Sequence, residues 1–192
     1  KEEPRKERVG KFSLEVQGIE DPQYALRAFT ANPVEVIWDR VRVQLSSELP
    51  RVKVGREAPL KIEGRYEYDG QPFPGQVVLD RERGGSSLGR ATFGARGIAD
   101  PQFGLSAFAA NQTEIIFDRI EPQLRTRALA PGRVEVELAL RYAWDGAPVE
   151  GAVVTQGGQP LGAAGAGAYR VSRAAWAPFV SLPFRIEKPG FG

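Results

Sequence analysis

The feature that most constrains this chain is a long segment that it repeats. Residues 18–41, GIEDPQYALRAFTANPVEVIWDRV, return in similar form at residues 97–120 as GIADPQFGLSAFAANQTEIIFDRI, a spacing of 79 residues (97 − 18). A second pair follows in the same order, because YEYDGQPFPGQVVL begins at Tyr66 and YAWDGAPVEGAVVT at Tyr142, 76 residues apart (142 − 66). Two unlike segments that recur in one order at nearly one period indicate tandem duplication of a unit of about 80 residues.

Within this unit the apolar residues alternate with polar ones. In LKIEGRYEY, residues 60–68, and in VEVELALRYAW, residues 134–144, the large apolar side chains fall on every second position. Period two over this length predicts half-buried β-strands, and no segment shows a capped helical period, so helices should be few. The side chains that we expect in the core are Leu60, Ile62, Tyr66, Val77, Leu138, Leu140, Tyr142 and Val153.

Turn signals separate the predicted strands. Asp69–Gly70 and Asp145–Gly146 each follow a strand directly, and glycine takes the positive φ that tight hairpin turns require. The biased stretch LGAAGAGAY, residues 161–169, is either a flexible surface loop or a glycine and alanine edge strand that another backbone approaches closely. Short strands between turns in a unit of this size are typical of a β-sandwich.

The same residues carry a resemblance to a known class of module. The order of a strand, YxxDGxPxxGxVV and a further strand resembles prokaryotic immunoglobulin-like (Ig-like) and transthyretin-like repeat modules. The pair VIWDRVRVQL and YEYDGQPFPGQVVL looks like the Ig-like repeats of large surface proteins in hyperthermophilic archaea. The resemblance covers two full units, at about residues 40–188, and implies an extracellular or cell-surface module.

The predicted fold is therefore all-β, with tandem Ig-like β-sandwich domains and an N-terminal partial repeat. Residues 1–39 form a charged tail plus a repeat of the back half of the unit, and residues 40–118 and 119–192 each form one sandwich. Arginine far outnumbers lysine, which is a further hint of a thermophile.

The predicted sandwiches meet without a linker. In VEVIWDRVRVQL, residues 34–45, the large apolar side chains occupy even positions before Asp39 and odd positions after it, and TEIIFDRI repeats the change at Asp118. Because successive side chains of a strand point to opposite faces, the buried face switches at these aspartates, which favours a stiff joint. We expect Asp39 with Arg40, and Asp118 with Arg119, to form a solvated turn or an interdomain salt bridge, calcium between the domains being the alternative.

Two other sets of residues have a functional and a structural interpretation. The triplets Asp21/Pro22/Gln23 and Asp100/Pro101/Gln102 are predicted to be loop turns rather than metal ligands. The aromatic residues are predicted to be core residues, with a sugar-binding platform as the alternative; they are Trp38, Trp144, Trp176, Tyr66, Tyr68 and Tyr142.

Composition excludes several kinds of chemistry. The chain has no histidine, cysteine or methionine, which removes Ser/His/Asp and Cys/His catalysis, disulfides and imidazole or thiolate metal sites. The signs of the charges are interleaved and the net charge is +2, so no basic face for nucleic acid is predicted. No apolar run is long enough to span a bilayer. We predict no enzymatic activity, no catalytic residue and no cofactor.

These observations predict a structural subunit of an extracellular or cell-surface assembly, of the filament or surface-layer type. The alternative is an appended Ig-like module that presents or targets an enzyme or transporter, with carbohydrate as one ligand. Back halves of the unit outnumber front halves by one, so, unless the chain is part of a longer repeat protein, the N-terminal segment of one subunit is predicted to complete the C-terminal sandwich of the next by strand donation. The predicted interface residues are Phe12, Leu14 and Val16.

Overall fold

The all-β prediction is confirmed. The structure is a computed structural model that describes residues 8–25, 29–174 and 182–191, and every regular element among them is a β-strand. The first ten strands are β1 (Gly10–Leu14), β2 (Val34–Trp38), β3 (Val41–Ser47), β4 (Arg51–Lys53), β5 (Leu60–Tyr66), β6 (Gln76–Leu79), β7 (Gly89–Phe93), β8 (Ala95–Ala99), β9 (Phe108–Ala110) and β10 (Thr113–Asp118). The others are β11 (Ile120–Ala130), β12 (Arg133–Tyr142), β13 (Val153–Gln156), β14 (Gln159–Pro160), β15 (Ala163–Gly165), β16 (Ala168–Ala174) and β17 (Phe184–Glu187).

The strands belong to two compact units. The first unit contains Lys1–Ser46, Lys61–Arg81 and Phe93–Gln112, and the second contains Ser47–Leu60, Glu82–Thr92 and Thr113–Gly192. The first unit holds the sheets β5-β3-β9, β6-β8 and β1-β2, while the second holds β4-β10-β7, β11-β12-β16-β15 and β14-β13-β17. The boundaries predicted from sequence, at 39/40 and 118/119, remain predictions.

Alternation along β3 builds the core of the first unit. Val41, Val43 and Leu45 are buried, whereas the side chains between them are exposed, as period two requires. Tyr66, at the end of β5, completes this cluster. Its hydroxyl donates to Asp100 at 3.0 Å, so the one polar atom of the ring is paired.

The second unit has its own core, formed across β12, β13 and β16. The buried residues of this cluster are Leu138, Leu140, Val149, Ala152, Val154 and Tyr169. The hydroxyl of Tyr169 donates to the carbonyl oxygen of Ala152 at 2.5 Å, which ties the strand to the loop that it covers.

The two Asp–Gly turns have the expected backbone. Gly70 and Gly146 have φ angles of 73° and 69°, a region that residues with a Cβ rarely adopt. Each donates its N–H to the carbonyl of the tyrosine four residues earlier, Gly70 to Tyr66 at 3.0 Å and Gly146 to Tyr142 at 2.9 Å.

The stretch at residues 161–169 contains an edge strand, as one of its two interpretations predicted. β15 pairs with β16 at the edge of its sheet, and a bulge separates Ala163 from Gly165. Gly167 then has φ 66°, and a Cβ there would lie 2.8 Å from the carbonyl oxygen of Leu140. Glycine is therefore needed because another backbone approaches at this point.

The predicted core is largely confirmed, with one error. Leu60, Tyr66, Leu138 and Leu140 are buried, and three others are half-buried and pack on a core or lie in a strand; these are Ile62, Val77 and Tyr142. Val153 is wrong, because it is 47% exposed while Val154 is 1% exposed. Two adjacent valines satisfy either parity of a strand, so alternation cannot decide which one faces inward.

The adjacent valines provide a matched test of this correction. We expect Val154→Ala to lower the free energy of unfolding by about 2 kcal/mol, since it removes buried apolar surface and leaves a cavity. Val153→Ala should change it by about 0.5 kcal/mol or less, as at other exposed positions. Urea unfolding of the two variants measures the difference, and a larger loss for Val153→Ala would reverse the assignment of the faces.

Candidate functional site: the two aspartate junctions

The chain passes from β2 to β3 at Asp39, which we call the first junction. Asp39 Oδ1 accepts hydrogen bonds from three backbone N–H groups, those of Arg40 at 2.7 Å, Glu67 at 3.1 Å and Tyr68 at 2.9 Å. The carbonyl of Arg40 accepts a second bond from the N–H of Glu67 at 2.9 Å. The start of β3 is thereby fixed to the turn that carries Asp69 and Gly70.

The side chain of Arg40 points to a different partner. Its Nε and Nη2 donate to the two carboxylate oxygens of Glu67 at 2.5 and 2.9 Å, a bidentate pair. The hydrogen bond and the charge of Glu67 raise the pKa of Arg40, and the hydrogen bond from Arg40 lowers the pKa of Glu67. Arg42 lies 3.5 Å from the same carboxylate.

The second junction, where β10 passes into β11 at Asp118, repeats the backbone contacts of the first. Asp118 Oδ1 accepts the N–H of Arg119 at 2.8 Å and that of Trp144 at 3.0 Å. The carbonyl of Arg119 accepts the N–H of Ala143 at 2.9 Å. The aspartate and the residue before the Asp–Gly turn therefore make the same contact at both junctions.

A buried ion network distinguishes the second junction. Asp118 is 0% exposed, and its Oδ2 accepts from Arg51 Nη1 at 2.7 Å. The same guanidinium donates to Asp145 Oδ1 at 3.1 Å and to Oδ2 at 2.5 Å, and it lies over the ring of Tyr142 at 4.0 Å. Arg51 thus joins the carboxylate of the junction to the carboxylate of the Asp–Gly turn.

The electrostatics of this network follow from these contacts. The hydrogen bond from Arg51 lowers the pKa of Asp145 to about 2, and that of the Ala147 N–H acts in the same direction. The hydrogen bond to Asp145 raises the pKa of Arg51, and burial raises the pKa of the Tyr142 hydroxyl. Arg51 and Asp145 are thus held in their charged forms, which suits a structural role rather than proton transfer.

The salt bridge predicted between the neighbouring aspartate and arginine side chains is wrong at both junctions. Asp39 does not pair with the Arg40 guanidinium, which binds Glu67, and Arg119 binds Glu121 at 2.8 Å instead of Asp118. Neighbouring side chains on an extended backbone point to opposite faces, so they pair poorly with each other. Asp118 is also buried and is therefore not part of a solvated turn.

The two DPQ triplets are turns, as predicted. Asp21 Oδ1 accepts the N–H groups of Gln23 at 3.0 Å and Tyr24 at 3.1 Å. Asp100 Oδ1 accepts the N–H of Gln102 at 3.0 Å as well as the hydroxyl of Tyr66. Burial and this hydrogen bond raise the pKa of Tyr66 to about 12.

The aromatic residues divide between core and surface. Tyr66 is buried and Trp38 and Tyr142 are half-buried, whereas Tyr68 and Trp144 are 41% and 49% exposed. Trp176 lies outside the described residues. The prediction that Tyr68 and Trp144, directly before the two Asp–Gly turns, are core residues is therefore wrong.

The predicted interface residues lie together on or next to β1. Phe12 is half-buried opposite Val36 on β2, while Leu14 and Val16 are 41% and 53% exposed. Lys11 and Glu35 form an ion pair at 2.6 Å across the same two strands. The role of Phe12, Leu14 and Val16 in an interface remains a prediction.

A groove of about 540 Å³ lies beside the second junction, within the second unit. Its lining residues are Lys53, Arg119, Ile120, Ile186, Glu187, Lys188, Pro189 and Phe191. Among these described residues Glu187 is the one carboxylate, whereas hydrolysis of a glycosidic bond ordinarily uses two.

Comparison with known proteins found no matching family model, no matching curated protein and no matching solved structure. In the described part of the chain, no helix has the length and apolar character to cross a membrane. The described residues also contain no group of three or more acidic side chains arranged to hold a metal ion. Calcium binding between domains stays an untested prediction.

Replacement of Asp118 tests the second junction. We expect Asp118→Ala to lower the free energy of unfolding by about 3 kcal/mol, because it leaves Arg51 with one carboxylate fewer and two backbone N–H groups without their acceptor. The matched control is Asp39→Ala, which should cost about 1 to 2 kcal/mol because it removes backbone contacts alone. Equal losses in urea unfolding would show that Arg51 adds nothing to the buried carboxylate.

The pH dependence of stability tests the contact between Arg51 and Asp145. A carboxyl whose pKa is lowered in the folded state stabilises the fold above its unfolded pKa of about 4, and this contribution is lost as the pH falls through about 2. We expect thermal unfolding of Asp145→Asn to depend less on pH between 4 and 2 than that of the parent protein. Superimposable profiles would contradict the contact.

Proposed function

We propose that this protein is a noncatalytic structural component of an extracellular or cell-surface assembly, built from tandem Ig-like β-sandwiches. The observation that carries the proposal is the pair of junctions, where β2 passes into β3 and β10 into β11 across one or two residues. At both, an aspartate side chain binds the backbone of the following turn. A protein that holds a shape requires strands that are fixed to their neighbouring turns within each unit, as these two junctions are.

The use of the charged groups supports a noncatalytic role. Asp118, Arg51 and Asp145 are bound to one another, and Arg40 is bound to Glu67. Catalytic acids and bases need an accessible proton and a pKa near the working pH, whereas the pKa of Asp145 is moved away from neutrality, to about 2. The charges at the junctions thus act as connectors.

Exposed apolar strands support self-association into a homopolymer. Four large apolar side chains near the N-terminus are each at least 41% exposed: Leu14 on β1, Val16 just after it, and Val34 and Ile37 on β2. Apolar residues on short sheets with free edges favour pairing with a further strand. Strand donation between subunits, head to tail, would extend into a filament because the two contacting surfaces differ.

One observation favours the alternative, an appended binding module. Tyr68 and Trp144 stand directly before Asp69 and Asp145 of the two turns, and both are about half exposed. Aromatic rings at the tips of turns are able to stack on a sugar or another flat ligand. In that case the junctions would hold the turns in position, and the protein would remain a monomer.

The state of association separates the two functions. A structural subunit should form larger species as its concentration rises, because each added subunit presents the same free edge as the previous one. Sedimentation velocity over a hundredfold range of concentration, with electron microscopy of the largest species, measures this. The control is Trp144→Ala, which should leave the association unchanged.

A stable monomer at the highest concentration would contradict the structural function. If that monomer also bound an oligosaccharide in a manner that Trp144→Ala abolished, the binding-module function would replace it.

A further inference from the structure

A short parallel strand covers the edge of β3 in the first unit. β9 pairs with β3 in the register Val41 to Phe108 and Val43 to Ala110, and the N–H of Val41 donates to the carbonyl of Ala107 at 3.0 Å. Val41, Val43 and Leu45 on the covered strand are all buried. The backbone edge of β3 is therefore satisfied from within the chain.

Asn111 continues this pairing with its side chain. Its Oδ1 accepts the N–H of Leu45 at 2.7 Å, and its Nδ2 donates to the carbonyl of the same residue at 2.8 Å. One amide side chain thus satisfies both backbone groups of Leu45, as a further strand residue would.

The covering segment has an earlier copy that lies outside any strand. Phe29, Ala31 and Asn32 precede Phe108, Ala110 and Asn111 by 79 residues, in FTAN and FAAN respectively. Residues 29–32 are all exposed, and Phe29 is 39% exposed. The chain therefore contains a second segment, FTAN, whose sequence is nearly the same as that of the segment that covers the edge of β3.

The covered edge has a later copy that no described strand covers in the same way. IEPQL at residues 120–124 follows VRVQL at 41–45 by 79 residues, and it opens β11. Among the described strands β11 pairs only with β12. Leu124 is 59% exposed, whereas Leu45 at the corresponding position is 2% exposed.

Alternate residues of β11 present their backbone N–H and carbonyl groups on that open side. Leu140, opposite Pro122, directs its N–H to Gly167 and its carbonyl to Val149, both away from β11. In an antiparallel pair of strands, two directly opposed residues either bond to each other through their backbone groups or both direct these groups to the outer sides of the pair. Pro122, and by alternation Ile120 and Leu124, therefore face the open edge.

We propose that residues 29–32 of one copy bind the open edge of β11 in a second copy, as a parallel strand with Asn32 holding Leu124. The expected register places Phe29 against Ile120, with Asn32 Oδ1 accepting the Leu124 N–H and Nδ2 donating to its carbonyl. This contact rests on the proposed self-association and specifies it, because it joins two different surfaces and so propagates head to tail.

Pro122 limits the strength of the contact. It stands where Val43 stands in β3, and proline has no N–H to donate to the added strand. The remaining outward groups are those of Ile120 and Leu124 and the Pro122 carbonyl, so much of the binding depends on the Asn32 side chain.

Three variants of the full chain, followed by sedimentation velocity, test the proposal. Asn32→Ala should raise the dissociation constant of association roughly tenfold or more, because two hydrogen bonds are lost. Pro122→Val should lower it roughly fivefold, since it restores one donor. Glu150→Gln, an exposed substitution in the loop before β13, is the control and should match the parent protein.

Hydrogen exchange identifies the site. The amide of Leu124 should become protected in the associated parent protein, and it should stay unprotected in Asn32→Ala at equal concentration. Association of Asn32→Ala equal to that of the parent, or a Leu124 amide that exchanges freely in the assembly, would overturn this contact while leaving the structural function standing. Failure of the parent and of Pro122→Val to associate would overturn both.

Discussion

The rest of the structure depends on the hydrogen bonds that Asp39 and Asp118 make with backbone N–H groups. The chain passes from one strand to the next at each of these residues, and the N–H of the following arginine and the N–H groups just before the Asp–Gly turn lie outside the strands. Each carboxylate accepts those N–H groups, at 2.7 to 3.1 Å for Asp39 and at 2.8 and 3.0 Å for Asp118. An N–H group without an acceptor costs about 1 to 3 kcal/mol when it is fully buried, and these partly buried groups would cost less.

The negative charge of the aspartate is stabilised differently at the two junctions. A carboxylate that is 0% exposed, as Asp118 is, needs a cation, and Arg51 supplies it while remaining 17% exposed itself. Asp39 is half-buried and keeps part of its hydration, so the neighbouring Arg40 is free to bind Glu67. The depth of burial, rather than the Asp–Arg sequence common to both, decides which arginine is recruited.

Sequence reasoning predicted the features that depend on local pattern. Alternation identified β3, β5 and β12, and the Asp–Gly pairs identified both turns, because period and backbone conformation are properties of a few adjacent residues. It could not predict that Arg51 binds Asp118, since these residues are 67 positions apart and no pattern marks Arg51. Nor could it choose between Val153 and Val154, where the direction of the strand relative to its core decides.

The eleven residues of β11 present the hazard common to long edge strands, and the position of Pro122 bears on it. A free edge pairs with almost any extended segment, since backbone groups carry no sequence information. Pro122 removes one outward donor, while the N–H and carbonyl of Leu124 remain for a partner that has an amide side chain at the right distance. The missing N–H of Pro122 weakens the binding of every extended segment. A segment with an amide side chain opposite Leu124 keeps two hydrogen bonds that other segments lack, so its binding is weakened by a smaller fraction. An edge of this kind would gain specificity by giving up some affinity.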